Sequence, residues 1–122
     1  MRVTQTTILL PNMRFYARHG VDPQEQTVGA YFTVSLEIET DFIRALEQDD
    51  LNGTINYASV HQIVKEEMEI SSKLLEHAAG RIAQRLFHEF RTINALQLEL
   101  YKENPPMGAD CRQAGVRIKV ER

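Results

Sequence analysis

Four side chains have types and positions that could do chemistry: Lys102, Glu76, Tyr57 and Glu25. Leu96, Leu98 and Leu100 alternate with Gln97, Glu99 and Tyr101, and counting on by two puts Lys102 on the apolar side of the same strand. An amine there loses hydration, which favours its neutral form and makes it a usable acid or base near neutral pH. The alternative is a strand end where the ammonium reaches back to water. Glu76 falls in the first turn of a helix, where the dipole alone would favour a carboxylate. A carboxylate so placed can also accept two parallel N–H donors from a planar ligand. Tyr57 begins another helix on its apolar stripe. It is either core, or a ring that stacks on a heterocycle with its hydroxyl free for proton transfer. Glu25 lies in a polar connection, where a solvated carboxylate is the ordinary outcome.

Other constellations are missing. His19, His61, His77 and His88 are scattered, with no His-x-His pair and no His-Glu-x-x-His string, so no zinc site is expected. Cys111 is the sole cysteine; it excludes a disulfide framework within the chain and has no histidine beside it in sequence. No glycine-rich phosphate loop occurs.

The elements that must position these residues follow from periodicity. Ala30, Phe32, Val34, Leu36 and Ile38 alternate with Tyr31, Thr33, Ser35, Glu37 and Glu39, which reads as a long strand buried on one side. Met13, Phe15, Ala17 and His19 form a similar stripe before it, and Pro11 predicts a bend or bulge. After the leucine strand comes another, with Ala114, Val116, Ile118 and Val120 on one side. Between the two strand pairs lie two helices. Tyr57, Val60, Val64 and Met68 mark the first, with Thr54 or Asn56 as its cap. The second runs from about Lys73 to Phe90, with Ser71 or Ser72 as its cap. The connections from Gly20 to Gly29 and from Glu103 to Arg112 are long and polar, as functional loops often are.

The order ββααββ predicts an α+β fold, a four-stranded antiparallel sheet with two helices on one face. Such a sheet has two open edges and one uncovered face, which pairing with other subunits into a barrel would satisfy. A monomer with bulged or charged edges is the alternative. The 122 residues make a single domain spanning 1–122. A net charge of −3 gives no strong pull toward nucleic acid or an anionic membrane. The longest apolar run near the start, Ile8 to Leu10, is too short for a leader or a membrane span, so a cytoplasmic protein is expected.

Several strings occur in a telling order: Phe15-Tyr16-Ala17-Arg18-His19-Gly20-Val21, then Glu25 and Val28-Gly29, then Ile55-Asn56-Tyr57-Ala58. Leu74-Leu75-Glu76-His77-Ala78-Ala79 and Lys102-Glu103-Asn104-Pro105-Pro106 follow. From about Ile8 to Val120 the chain resembles the dihydroneopterin aldolases of folate biosynthesis. That resemblance implies the tunnelling fold, in which subunits complete a barrel, usually as a homo-octamer of two tetrameric rings with active sites at subunit interfaces. It implies a pterin substrate, 7,8-dihydroneopterin, cleaved to 6-hydroxymethyl-7,8-dihydropterin and glycolaldehyde. Glu76 would anchor the pterin and the Leu75 backbone would touch its ring. Tyr57 would stack on the ring across a subunit boundary, Glu25 would hold the side-chain hydroxyls, and Lys102 would be the general acid/base. No cofactor, metal or Schiff base is implied, because dihydropterin carries an imine that can absorb the electrons of the broken bond. Two other readings share the resemblance: an epimerase of dihydroneopterin or its triphosphate, and a noncatalytic pterin- or purine-binding module.

Overall fold

A computed structural model describes residues 1–108 and 110–122. Strand β1 (Thr7–Ala17) is followed by β2 (Ala30–Glu39), with a short helix α1 (Pro23–Val28) between them. Helix α2 (Ile43–Gln48) and a 3-10 turn (Leu51–Gly53) lead to helices α3 (Tyr57–Met68) and α4 (Leu75–Glu89). Strands β3 (Ala95–Glu103) and β4 (Gln113–Glu121) complete the chain. The four strands form one antiparallel sheet in the order β1-β2-β3-β4.

The predicted alternation determines which side is buried. Phe32, Val34, Leu36 and Ile38 of β2 face Leu96, Leu98 and Leu100 of β3, and all seven are buried. Val60, Ile63, Val64 and Met68 of α3, with Ala78, Ala79, Ile82, Ala83 and Leu86 of α4, close over this side. The small alanines of α4 allow close approach to the sheet. Arg81 fastens the two helices, donating to the Glu67 carboxylate at 2.8 Å and to the Ile70 carbonyl at 2.8 Å. The edge strand β4 buries no residue fully, and the opposite sheet face leaves Tyr16 and Tyr31 exposed. The bend foreseen at Pro11 is a register shift between Leu10 and Met13, with Asn12 left-handed at φ 57°.

Local expectations met three corrections. Asn56 caps α3 through Ala58 N–H at 2.9 Å, whereas Thr54 ends the 3-10 turn. Neither Ser71 nor Ser72 caps α4, which starts at Leu75 after Leu74 with no side-chain cap. The serines are engaged instead with the end of β1 and the residues after it. The connections before and after β2 contain α1 and α2, six-residue helices that bury no side chain and so carry no apolar periodicity to read.

Two glycines give opposite expectations. A Cβ on Gly115 would lie 2.2 Å from the Leu100 carbonyl oxygen, whereas one on Gly80 in α4 would touch nothing within 4 Å. Gly80→Ala should therefore stabilise the fold by about 1 kcal/mol, as expected for glycine in a helix interior. Gly115→Ala should destabilise it by forcing β3 and β4 apart. Urea denaturation of both variants checks the signs.

Candidate active site

The connection after β1 is organised by a capping box. Asp22 accepts the Gln24 N–H at 2.9 Å, Pro23 occupies the first turn, and Glu25 Oε2 accepts the Asp22 N–H at 3.1 Å. The other oxygen of Glu25, Oε1, accepts from Lys102 Nζ. The Glu25 side chain is only 23% exposed and that of Lys102 only 12%. The solvated loop carboxylate expected for Glu25 is thus replaced by an ion pair. Hydrogen bonding from Lys102 is the main cause that holds the Glu25 carboxyl below its ordinary range. Gly20 makes the reach possible: a Cβ there would fall 2.4 Å from Glu25 Oε2 and 2.7 Å from Glu25 Cβ.

Lys102 sits on the apolar side of β3, opposite Phe32 in β2, as the alternation predicted. Its amine lies 5.8 Å from the Phe32 ring centroid. The pair opens onto a cleft of about 1060 Å³ between α1 and the segment after β3, whose walls include Val21, Val28, Pro105 and Met107. Among the described residues Lys102 is the only cation lining it, against the carboxylates of Asp22 and Glu25. Asn104 turns the chain out of β3 with a left-handed φ of 48°, and its N–H donates to the Arg112 carbonyl at 2.8 Å.

Glu76 stands exposed in the first turn of α4, beside a half-buried Leu75. Neither lines the cleft of Lys102, but a junction of hydrogen bonds ties the segment leading into α4 to the end of β1. Ser72 N–H donates to His19 Nδ1 at 3.0 Å, and Gly20 N–H donates to the Ser72 carbonyl at 3.0 Å. Ser71 Oγ donates to the Arg18 carbonyl at 2.6 Å. Glu76 and the Glu25–Lys102 pair are therefore mounted on two sides of one short junction. Tyr57 is not brought to the cleft. It is 66% exposed at the start of α3, so it is not core either.

Sequence reasoning assigned nothing to His19 or Gly20. A signal was present, because His19 continues the apolar stripe of Met13, Phe15 and Ala17 with a polar ring. His19 is 1% exposed and packs edge-on against Phe32 at 5.1 Å between ring centroids. Burial, reinforced by Arg81 and Lys102, lowers its pKa to about 4.

Among the described residues no group of three or more His, Cys, Asp or Glu is arranged to hold a metal ion, and no helix is long and apolar enough to cross a membrane. Residues 8–119 match the family described as dihydroneopterin aldolase, FolB. The chain belongs to the dihydroneopterin aldolase family. A dihydroneopterin aldolase of Streptococcus pyogenes serotype M18 is 38% identical over 119 residues, covering 94% of this chain and 98% of that one. One from Staphylococcus epidermidis is 35% identical over 115 residues, covering 93% and 95%. The FolB crystal structure from Vibrio cholerae superposes with a TM-score of 0.90 at 25% identity, covering 98% of this chain and 100% of that chain. Escherichia coli dihydroneopterin aldolase, solved in complex with neopterin, gives 0.86 at 23% identity and covers 94% and 98%. These superpositions establish the α+β aldolase fold, and the family's substrate class is a pterin.

His19 gives a pH signature. The unfolded imidazole titrates near 6.5 and the folded one near 4, so between these values the unfolded chain binds more protons. Stability should therefore fall as the pH drops through that window. His19→Asn should show a shallower fall between pH 7 and pH 4.5, measured by urea denaturation at each pH.

Proposed function

We propose that this chain cleaves 7,8-dihydroneopterin by a retro-aldol reaction, with Glu76 and Leu75 holding the pterin and Lys102, Glu25 and Tyr57 acting at its side chain. The observation that carries the reading is the Glu25–Lys102 pair at the cleft, joined through the His19–Ser72 junction to the helix start that bears Glu76. Glu76 can accept the ring N–H and exocyclic amine together, since these two donors match a carboxylate as a guanidinium would. The first turn of α4, free of any side-chain cap, leaves backbone N–H groups for a ring carbonyl.

The chemistry then needs orientation and proton movement. A proton leaves the second hydroxyl of the side chain, the bond between its first two carbons breaks, and glycolaldehyde departs. The electron pair moves into the ring imine, whose nitrogen takes up a proton. Protonation of the remaining side-chain carbon and loss of the nitrogen proton restore the imine in 6-hydroxymethyl-7,8-dihydropterin. Lys102, through water or directly, serves the hydroxyl and the ring nitrogen, and the Tyr57 phenol serves the carbon. Glu25 orients Lys102 in the free protein and accepts from the side-chain hydroxyls when substrate arrives. Because the ring absorbs the electrons, we assign no role to a metal, cofactor or Schiff base.

Tyr57 is exposed and absent from its own chain's cleft, which supports a site completed by a neighbouring subunit. The open edges of β1 and β4 support joining the sheets into a barrel, as a homo-octamer of two tetrameric rings. The cleft's charge favours the free substrate over its triphosphate. Arg14 pairs with Glu103 at 2.9 Å on the opposite sheet face and does not line the cleft.

Incubation with dihydroneopterin should release glycolaldehyde; epimerisation without release, or binding without turnover, would overturn the reading. Lys102→Ala should bind neopterin nearly as the parent does while cleavage falls by about 10²-fold or more. Glu76→Ala should abolish binding while remaining folded by circular dichroism. Refolding Tyr57→Ala together with Lys102→Ala should restore activity at about one site in four, where both residues are intact across an interface. No recovery would place Tyr57 outside the shared site.

A further inference from the structure

The junction beneath the site rests on a buried histidine that no step of the proposed chemistry uses. His19 Nδ1 accepts the Ser72 N–H at 3.0 Å, so the neutral ring carries its proton on Nε2. Among the described residues Nε2 is the buried side-chain nitrogen or oxygen without a hydrogen-bond partner. The ring is wedged between the segment entering α4 and the Phe32 ring, over which the Lys102 amine also lies. The next residue, Gly20, both donates to the Ser72 carbonyl and makes room for Glu25. Ser72 passes the constraint on, since its Oγ is 2.9 Å from His77 Nδ1 in the first turn of α4 and accepts from Arg81 Nη2 at 3.0 Å.

We propose that His19 is a positioning residue: its Nδ1 acceptor sets the start of α4, and so the pterin anchor Glu76, at a fixed distance from the Glu25–Lys102 pair. This rests on the cleavage reading above. Neither half of the site is built by His19 alone, because Glu76 stays on its helix and Lys102 on its strand whatever the residue is. What His19 supplies is their mutual placement. A displacement of about 1 Å between ring and proton carrier costs catalysis far more than it costs binding of the ring. A residue that served only to fill the core would lower stability and leave turnover per folded molecule unchanged.

The two amide residues separate the ring nitrogens. Asn places an oxygen near the position of Nδ1 and keeps the acceptor for Ser72, whereas Gln places an N–H near Nε2 and loses that acceptor. In the assembled protein, His19→Gln should lower kcat by about tenfold or more with the neopterin Kd within about threefold of the parent. His19→Asn should restore most of kcat. Ser72 amide hydrogen exchange, which is independent of turnover, should be faster in His19→Gln and return toward the parent rate in His19→Asn. If His19→Gln fails to fold, Ser71→Ala removes a neighbouring bond of the same junction from an exposed side chain. It should lower kcat in the same selective way. Full kcat in folded His19→Gln, or in Ser71→Ala used in its place, would overturn the proposal. So would unaltered Ser72 exchange in folded His19→Gln. Activity in His19→Gln but not in His19→Asn would overturn it too, assigning the role to the Nε2 proton instead. Absence of glycolaldehyde release by the parent would defeat the cleavage reading while leaving the tether to be judged by exchange alone.

Discussion

A lysine on the apolar side of a strand needs either water or a counter-charge, and here Glu25 supplies the charge. Much of the surrounding structure answers to that contact. The Asp22–Glu25 capping box fixes the direction of the carboxylate, and Gly20 gives it space. Phe32 forms the apolar floor beneath the amine. The result is a paired, largely enclosed ammonium at the mouth of a cleft, where an incoming hydroxyl can compete for the carboxylate. A substrate hydroxyl that drew Glu25 away would leave the Lys102 amine free to hydrogen-bond the substrate.

The same region shows what a sequence can and cannot disclose. The alternation of β2 and β3 is written in Phe32 to Ile38 and Leu96 to Leu100, because one side of the sheet is buried and the other is not. Lys102 stands out for the same reason, as a charge in an apolar column. Glu25 does not stand out, because its partner is 77 residues away and nothing local distinguishes it from a solvated loop carboxylate. The Asp22-Pro23-x-Glu25 pattern did carry a helix-start signal, but for a helix too short to show periodicity. The serines before α4 look like caps by type, yet the Ser72 hydroxyl is held by His77 and Arg81 and the Ser71 hydroxyl donates to the Arg18 carbonyl, 53 residues away. Such competition is tertiary and lies beyond any local rule.

Tyr57 illustrates a different limit. Its position on a helical stripe suggests core packing, but the buried residues of α3 are Val60, Ile63, Val64 and Met68, and Tyr57 at its start stays exposed. A large aromatic left exposed, in a chain whose sheet has two open edges, is what the proposed completion by another copy of the chain requires. The proposed completion of the site by another copy rests on that exposure together with the open edges of β1 and β4.

In the proposed reaction Glu76 and the Glu25–Lys102 pair face one bound heterocycle. A crystal structure of the assembled protein with neopterin would show whether they do. The ring should lie with its amine and adjacent N–H on the Glu76 carboxylate, its side chain should point to Lys102 and Glu25, and Tyr57 of the partner subunit should cover its face. A ring bound away from Glu76, or a side chain directed away from Lys102, would contradict the account.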